Sequence, residues 1–152
     1  MKINCLIILF TFLLTSCEYR FKSELEQSIW NQFDNNKDSC EVEFSGFLPN
    51  QWDTVWFFSN KYEWRDIYQE MGFNPHCFID IGDRIIFVKS HRVVYYQEWF
   101  PYYKLKQWVG FGEEKFCLSR DSAIFTAKKI KFYGHDSNVG ILLKLKKHWE
   151  AV

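Results

Sequence analysis

The sequence predicts an α+β domain: an antiparallel β-sheet of about five to seven strands with two helices packed on it. Three observations lead there. Two stretches carry apolar residues at helical spacing. The other apolar runs are short and rich in β-branched and aromatic residues. The gaps between those runs are of hairpin length. Only one helical stretch falls between strands, which argues against alternating βα units.

The first helix is read from Phe21, Leu25, Ile29 and Phe33, which recur every four residues with Trp30 beside them. Lys22, Glu24, Glu26 and Gln27 fill the positions between, so the stripe is amphipathic. The polar cluster Asp34-Asn35-Asn36-Lys37-Asp38 ends it. A strand follows where Val42, Phe44 and Gly46 alternate with Glu41, Glu43 and Ser45. The run Trp52-Asp53-Thr54-Val55-Trp56-Phe57-Phe58 has strong β-propensity, and Asp53 is expected to make a local backbone hydrogen bond at its start. The second helix spans about Lys61 to Met71. Asn60 and Glu63 have capping-box spacing, Trp64, Ile67, Tyr68 and Met71 form the apolar face, and Gly72 sits at the left-handed stop.

Arg84–Lys89 and Arg92–Phe100 flank Ser90-His91, a two-residue hairpin turn. Pairing Lys89 with Arg92 sets Val88 opposite Val93, Phe87 opposite Val94, Ile86 opposite Tyr95 and Ile85 opposite Tyr96. Both faces are then apolar, so the hairpin is expected at the centre of the sheet and covered on both sides. Lys89 and Arg92 form a like-charge pair that requires exposure. Shorter strands are expected near Phe116–Leu118, Ala123–Tyr133 and Gly140–Lys147. In the last, Ile141, Leu143 and Leu145 face one way and Lys144 and Lys146 the other, which reads as an edge strand guarded by lysines.

Composition narrows the function classes. The chain has 152 residues, 19 Lys+Arg against 19 Asp+Glu, 47% apolar and 20% aromatic residues. Intrinsic disorder needs low hydrophobicity and high net charge, and neither is present. The zero net charge gives no basic excess for a nucleic-acid partner. The length suits one domain, with no repeat, low-complexity tract or Gly/Ser/Pro-rich linker.

The amino terminus reads as a secretory signal. One basic residue, Lys2, precedes the apolar run CLIILFTFLL from Cys5 to Leu14. As a helix that run spans only about 15 Å, too short for the ~30 Å hydrocarbon core. It ends in Leu14-Thr15-Ser16-Cys17. An aliphatic residue, two small residues and a Cys in this position resemble the lipobox of bacterial lipoproteins. The resemblance implies a diacylglycerol on the Cys17 thiol, cleavage between Ser16 and Cys17 and acylation of the new amino terminus. Residues 1–16 would then be the signal peptide and 17–152 a single globular domain, held in a cell membrane by its lipid. Glu18 follows Cys17 where an Asp would resemble an inner-membrane retention signal, so the outer membrane is favoured in a bacterium that has one.

The order of WDTVWFF, a helix ending in Met-Gly-Phe, RIIFVKSHRVVYYQEW and the late AIFTAKKIKF strand also resembles a group of small bacterial lipoproteins over about residues 50–132. Their Trp-Asp strand motif is structural. The resemblance carries over no catalytic residue, and here Ser90-His91 stands where that group has a Gly-containing turn.

Motifs for chemistry are sparse. Cys40, Cys77 and Cys117 remain after the signal, allowing one internal disulfide from three pairings, or three buried thiols. Of the histidines, His91, His135 and His148 fall in expected turns, loops or the basic tail, and His76 adjoins Cys77 in a poor geometry for tetrahedral zinc. There is no HExxH, GxSxG, Walker or dinucleotide motif, so no cofactor, metal site or catalytic residue is assigned. The pairs Glu41/Glu43, Glu113/Glu114 and Asp80/Asp83 read as solvated faces.

The aromatic density is the remaining feature. Tyr95-Tyr96-Gln97-Glu98-Trp99-Phe100-Pro101-Tyr102-Tyr103 holds six rings that alternate across a strand, and Trp108 and Phe111 follow. Rings on the face not used by the core would be exposed, and exposed Tyr and Trp favour recognition. The expected interaction surface is Tyr95, Tyr96, Trp99, Tyr102, Tyr103 and Trp108. The expected function is a non-catalytic, membrane-anchored domain that binds another envelope molecule, a protein in the first place, in the manner of immunity proteins and lysozyme inhibitors. The alternatives are a carbohydrate binder or hydrolase using residues 95–111 with Glu98 or Glu113, and a structural lipoprotein within a larger assembly.

Overall fold

The computed structural model describes residues 23–33, 37–75, 82–99, 107–131 and 139–146. Its class is α+β. Helix α1 spans Glu24–Gln32 and α2 spans Trp64–Met71. The strands are β1 (Ser39–Glu43), β2 (Thr54–Phe58), β3 (Asp83–Lys89), β4 (Arg92–Trp99), β5 (Gln107–Phe111), β6 (Lys115–Ser119), β7 (Ile124–Lys131) and β8 (Val139–Leu145). They form two four-stranded sheets, in the orders β1-β7-β8-β5 and β4-β3-β2-β6. All pairs are antiparallel except β5–β8, which is parallel.

The two sheets face each other across the main core. Val42, Phe125, Ala127, Ile141, Leu143 and Val109 from one meet Val55, Phe57, Ile85, Phe87 and Phe116 from the other. Stacked and edge-on rings such as Phe57–Phe116 and Phe116–Phe125 fill the gap. Helix α1 closes one open side. Leu25, Ile29 and Phe33 enter the core, Gln32 exchanges two hydrogen bonds with the Glu43 backbone on β1, and Glu26 reaches Trp99 on β4. Helix α2 lies on the outer face of the second sheet, where Ile67 and Met71 pack on Phe58, Ile86 and Val88. Strand β3 is therefore covered on both faces.

Several expected details change. The expected sheet is divided in two, because β5 was not legible as a strand and does not pair with β6. The chain crosses between sheets through residues 112–114. Gly112 makes that crossing: its N–H donates to Leu143 O, and a Cβ there would stand 2.9 Å from Lys144 Cγ. Strand β8, expected at an edge, lies between β7 and β5. Its lysines mark a solvent-facing side, and period-2 alternation alone does not separate such a side from an edge.

The hairpin turn forms as expected, with Ser90 (φ 47°) and His91 (φ 62°) left-handed and the Lys89–Arg92 pair exposed. Val88 still faces Val93, but a β-bulge at Val94 shifts the rest by one residue. Phe87 faces Tyr95, Ile86 faces Tyr96 and Ile85 faces Gln97. Strand β4, expected to be central, is an edge strand because only β3 pairs with it, and the bulge keeps Tyr95 on the core side.

Helix α2 begins at Trp64, later than expected. Glu63 is its N-cap and its N–H donates to Asp66 Oδ2. Asn60 instead donates its backbone N–H to Asp83 Oδ1. Asp53 is also not a local cap, since its carboxylate accepts from Ser90 N across the sheet. Trp52 is buried, with Nε1 donating to Phe47 O at 2.6 Å.

Candidate functional site

Four large apolar side chains are exposed among the described residues: Trp64 (48%), Tyr68 (47%), Val94 (41%) and Tyr96 (41%). Their positions follow from two independent constraints. On α2, Ile67 and Met71 point at the sheet, and Glu70 pairs with Lys115 on β6. At 100° per residue, Trp64 and Tyr68 then fall on the flank opposite Glu70, which faces β4. On β4, Tyr96 lies opposite Ile86, so it shares the sheet face that α2 covers. Trp64, Tyr68 and Tyr96 therefore line one flank, between helix α2 and edge strand β4, and the bulged Val94 is exposed on the same strand.

The flank has a charged rim. Glu63, Arg65 and Asp66 are exposed around Trp64, and the Arg65 guanidinium lies 5.3 Å from the Trp64 ring centre. At the end of β4 nearest the start of α2, buried Arg84 lies 3.6 Å from Glu98 and donates to Tyr62 O at 2.5 Å. Glu98 also accepts from Gly82 N. This desolvated pair fixes the junction between α2 and the hairpin, and removing one partner would leave a buried charge.

The expected surface residues divide. Tyr96 is on this flank. Tyr95 is half-buried on the core side, in contact with the Phe47 and Phe87 rings, and its hydroxyl donates to Gln97. Burial pushes its phenol above the ordinary value of 10.0, against hydrogen bonds with Ser23 and Leu25. Trp99 is 3% exposed; its Nε1 donates to Glu26 Oε1 at 3.1 Å and its ring meets Phe111 edge-on. So Tyr95 is half-buried and Trp99 buried, because the bulge at Val94 sets both on the core side of β4. Tyr102, Tyr103 and the Trp108 side chain lie outside the described residues, as do Cys17, Cys77, His76, His135 and His148. Trp64 and Tyr68 were expected in the apolar face of α2. The apolar stripe of α2 spans about 100°, an ordinary width for a buried face, so helical spacing gave no sign that Trp64 and Tyr68 stay exposed.

The other chemistry-bearing residues stay apart. Cys40 and Cys117 are not bonded to each other; Cys40 lies on β1 and Cys117 on β6 of the other sheet. Burial raises the Cys117 thiol above 9.0. Glu41 and Glu43 line a shallow groove of about 360 Å³ with Gln32, Ser45 and Gly46. Glu41 is paired with Lys146, Ser45 Oγ donates to Glu43, and no ring lines the groove. Glu113 accepts from Leu145 N, and Glu114 pairs with Lys61. Among the described residues, no three His, Cys, Asp or Glu side chains gather as metal ligands, and no helix is long and apolar enough to cross a membrane. No protein-family model, curated protein or solved structure matches this chain.

Proposed function

We propose that this chain is a lipid-anchored, non-catalytic interaction domain of a bacterial cell envelope, held through Cys17 and binding an envelope protein through the α2–β4 flank. The observation that carries the binding reading is the exposure of Trp64, Tyr68 and Tyr96 on one flank. Apolar residues clustered within a polar rim have the composition of a recognition surface, with Trp and Tyr the strongest anchors. The membrane address rests on the lipobox Leu14-Thr15-Ser16-Cys17 behind its apolar run. The carbohydrate or hydrolytic alternative has less support, since Tyr95 and Trp99 turn to the core and the Glu41/Glu43 groove holds no ring.

Two measurements test the proposal. Cys17→Ser should leave the membrane fraction and lack the lipid mass; a variant that still partitions like wild type removes the anchor. The mature domain, immobilised, should retain an envelope protein that an equally folded Trp64→Ser/Tyr68→Ser variant does not. Equal retention by both refutes the flank as the binding surface.

A further inference from the structure

We infer that the partner taken by the α2–β4 flank is a protein embedded in the same membrane that holds the Cys17 lipid. This rests on the lipid-anchor reading above and adds the partner's class to it. The argument starts from where the described chain begins. Ser23, the N-cap of α1, lies beside β4: it shares a capping box with Glu26, three residues on, whose carboxylate holds Trp99 Nε1. The start of α1 is thereby fixed to the strand that carries Val94 and Tyr96.

Six residue steps, with five residues between, separate Cys17 from Ser23. Fully extended they reach about 20–22 Å. The polar layer of one leaflet takes up roughly 5–7 Å of that. The start of α1, and with it the β4 strand that carries Tyr96, therefore stays within roughly 15 Å of the headgroups, close to the surface segments of proteins in the same membrane. A short tether also keeps a partner in the same membrane at high effective concentration, an advantage that a freely diffusing protein does not share.

The bilayer itself is a poorer occupant. Seating Trp64 in the acyl boundary would carry the flanking Glu63 and Asp66 carboxylates toward hydrocarbon, a cost of burying two charges that one capping hydrogen bond apiece does not offset. A protein surface can match those carboxylates with donors while covering the rings. The apolar centre with a charged rim has that form.

The test places a photo-cross-linking amino acid at Tyr68 in the full-length chain, expressed in native membranes. Tyr96 serves as a second position. Asp121, just past β6 at the opposite edge of the sheet, is the control. The expected result is an adduct at 68 or 96 at about ten times or more the yield at 121, whose peptides belong to a protein that crosses the membrane by helices or as a β-barrel. Adducts only with phospholipid, adducts only with soluble proteins, or equal yields at all positions overturn the inference. The intact mass separates the two levels. An unmodified Cys17 defeats the anchor reading, whereas a lipidated Cys17 without a membrane-protein adduct defeats this partner class alone.

Discussion

Glu26 is predicted to be the side chain whose loss most loosens the junction between α1 and β4. Its Oε2 accepts from Ser23 N at 3.0 Å, its backbone N–H donates to Ser23 Oγ at 3.1 Å, and its Oε1 accepts from Trp99 Nε1 at 3.1 Å. Glu26→Ala keeps the bond from its backbone and loses the other two. The Ser23 N–H can turn to water, so half of the capping box costs about 0.5–1 kcal/mol. The indole N–H cannot, because Trp99 is 3% exposed. A buried donor without a partner costs about 1–3 kcal/mol. The sum is about 1.5–4 kcal/mol, a large share of the ~5–15 kcal/mol that holds an ordinary domain together. In urea, with a slope near 1.5 kcal/mol per M, the midpoint should fall by roughly 1–2.7 M, followed by far-UV circular dichroism. Trp99→Phe removes the indole donor, so the double-mutant cycle should return a coupling of about 1–2 kcal/mol. A coupling near zero, or a Glu26→Ala variant within about 0.5 kcal/mol of wild type, refutes the reasoning.

Three further outcomes are expected. His91→Gly relieves a left-handed L residue at φ 62° in the hairpin turn and should stabilise the domain by about 0.5–1.5 kcal/mol; an unchanged or lowered Tm counts against it. Burial holds the Asp83 carboxyl above its ordinary 3.8, against the opposing Asn60 N–H and Arg84 guanidinium. The native state then binds that proton more tightly than the unfolded one, so stability is lost as pH rises from about 3.8 through the folded value. Asp83→Asn should be the more stable form near neutral pH, with its advantage shrinking in acid; a pH-independent difference would sink this account. Cys117 is exposed on β6, but partial burial pushes its thiol up, so it should react with maleimide more slowly than free cysteine near neutral pH, with a rate still rising as pH passes its ordinary 9.0. A rate matching free cysteine would show that the thiolate is not disfavoured.

The elements were legible where a local pattern had one physical solution. The four-residue stripe of Leu25, Ile29 and Phe33 could bury itself only as a helix, and Ser90-His91 between two apolar runs could close only as a tight turn. Gly72, at φ 72°, stops α2 where expected. The candidate site was less legible. Tyr96 was named from the aromatic run, but Tyr95 and Trp99 were named with it, because strand alternation says that neighbours face opposite ways and does not say which way. Trp64 and Tyr68 were assigned inward because apolar side chains were assumed to be buried, and only the width of the sheet beneath α2 decides how many a helix can bury.

The sequence by itself determined the α+β class, the two helices and the hairpin turn, since these follow from side-chain period and backbone preference within a few residues. It also supplies the lipobox from which the membrane anchor is proposed. The tertiary structure alone decided that the strands divide into two facing sheets, that β8 is internal and β4 an edge, which face of β4 turns inward, and that exposed rings from distant segments share one flank. Those properties depend on which strand lies beside which. A single bulge at Val94 changes every pairing beyond it, and no local pattern of apolar residues specifies such a shift.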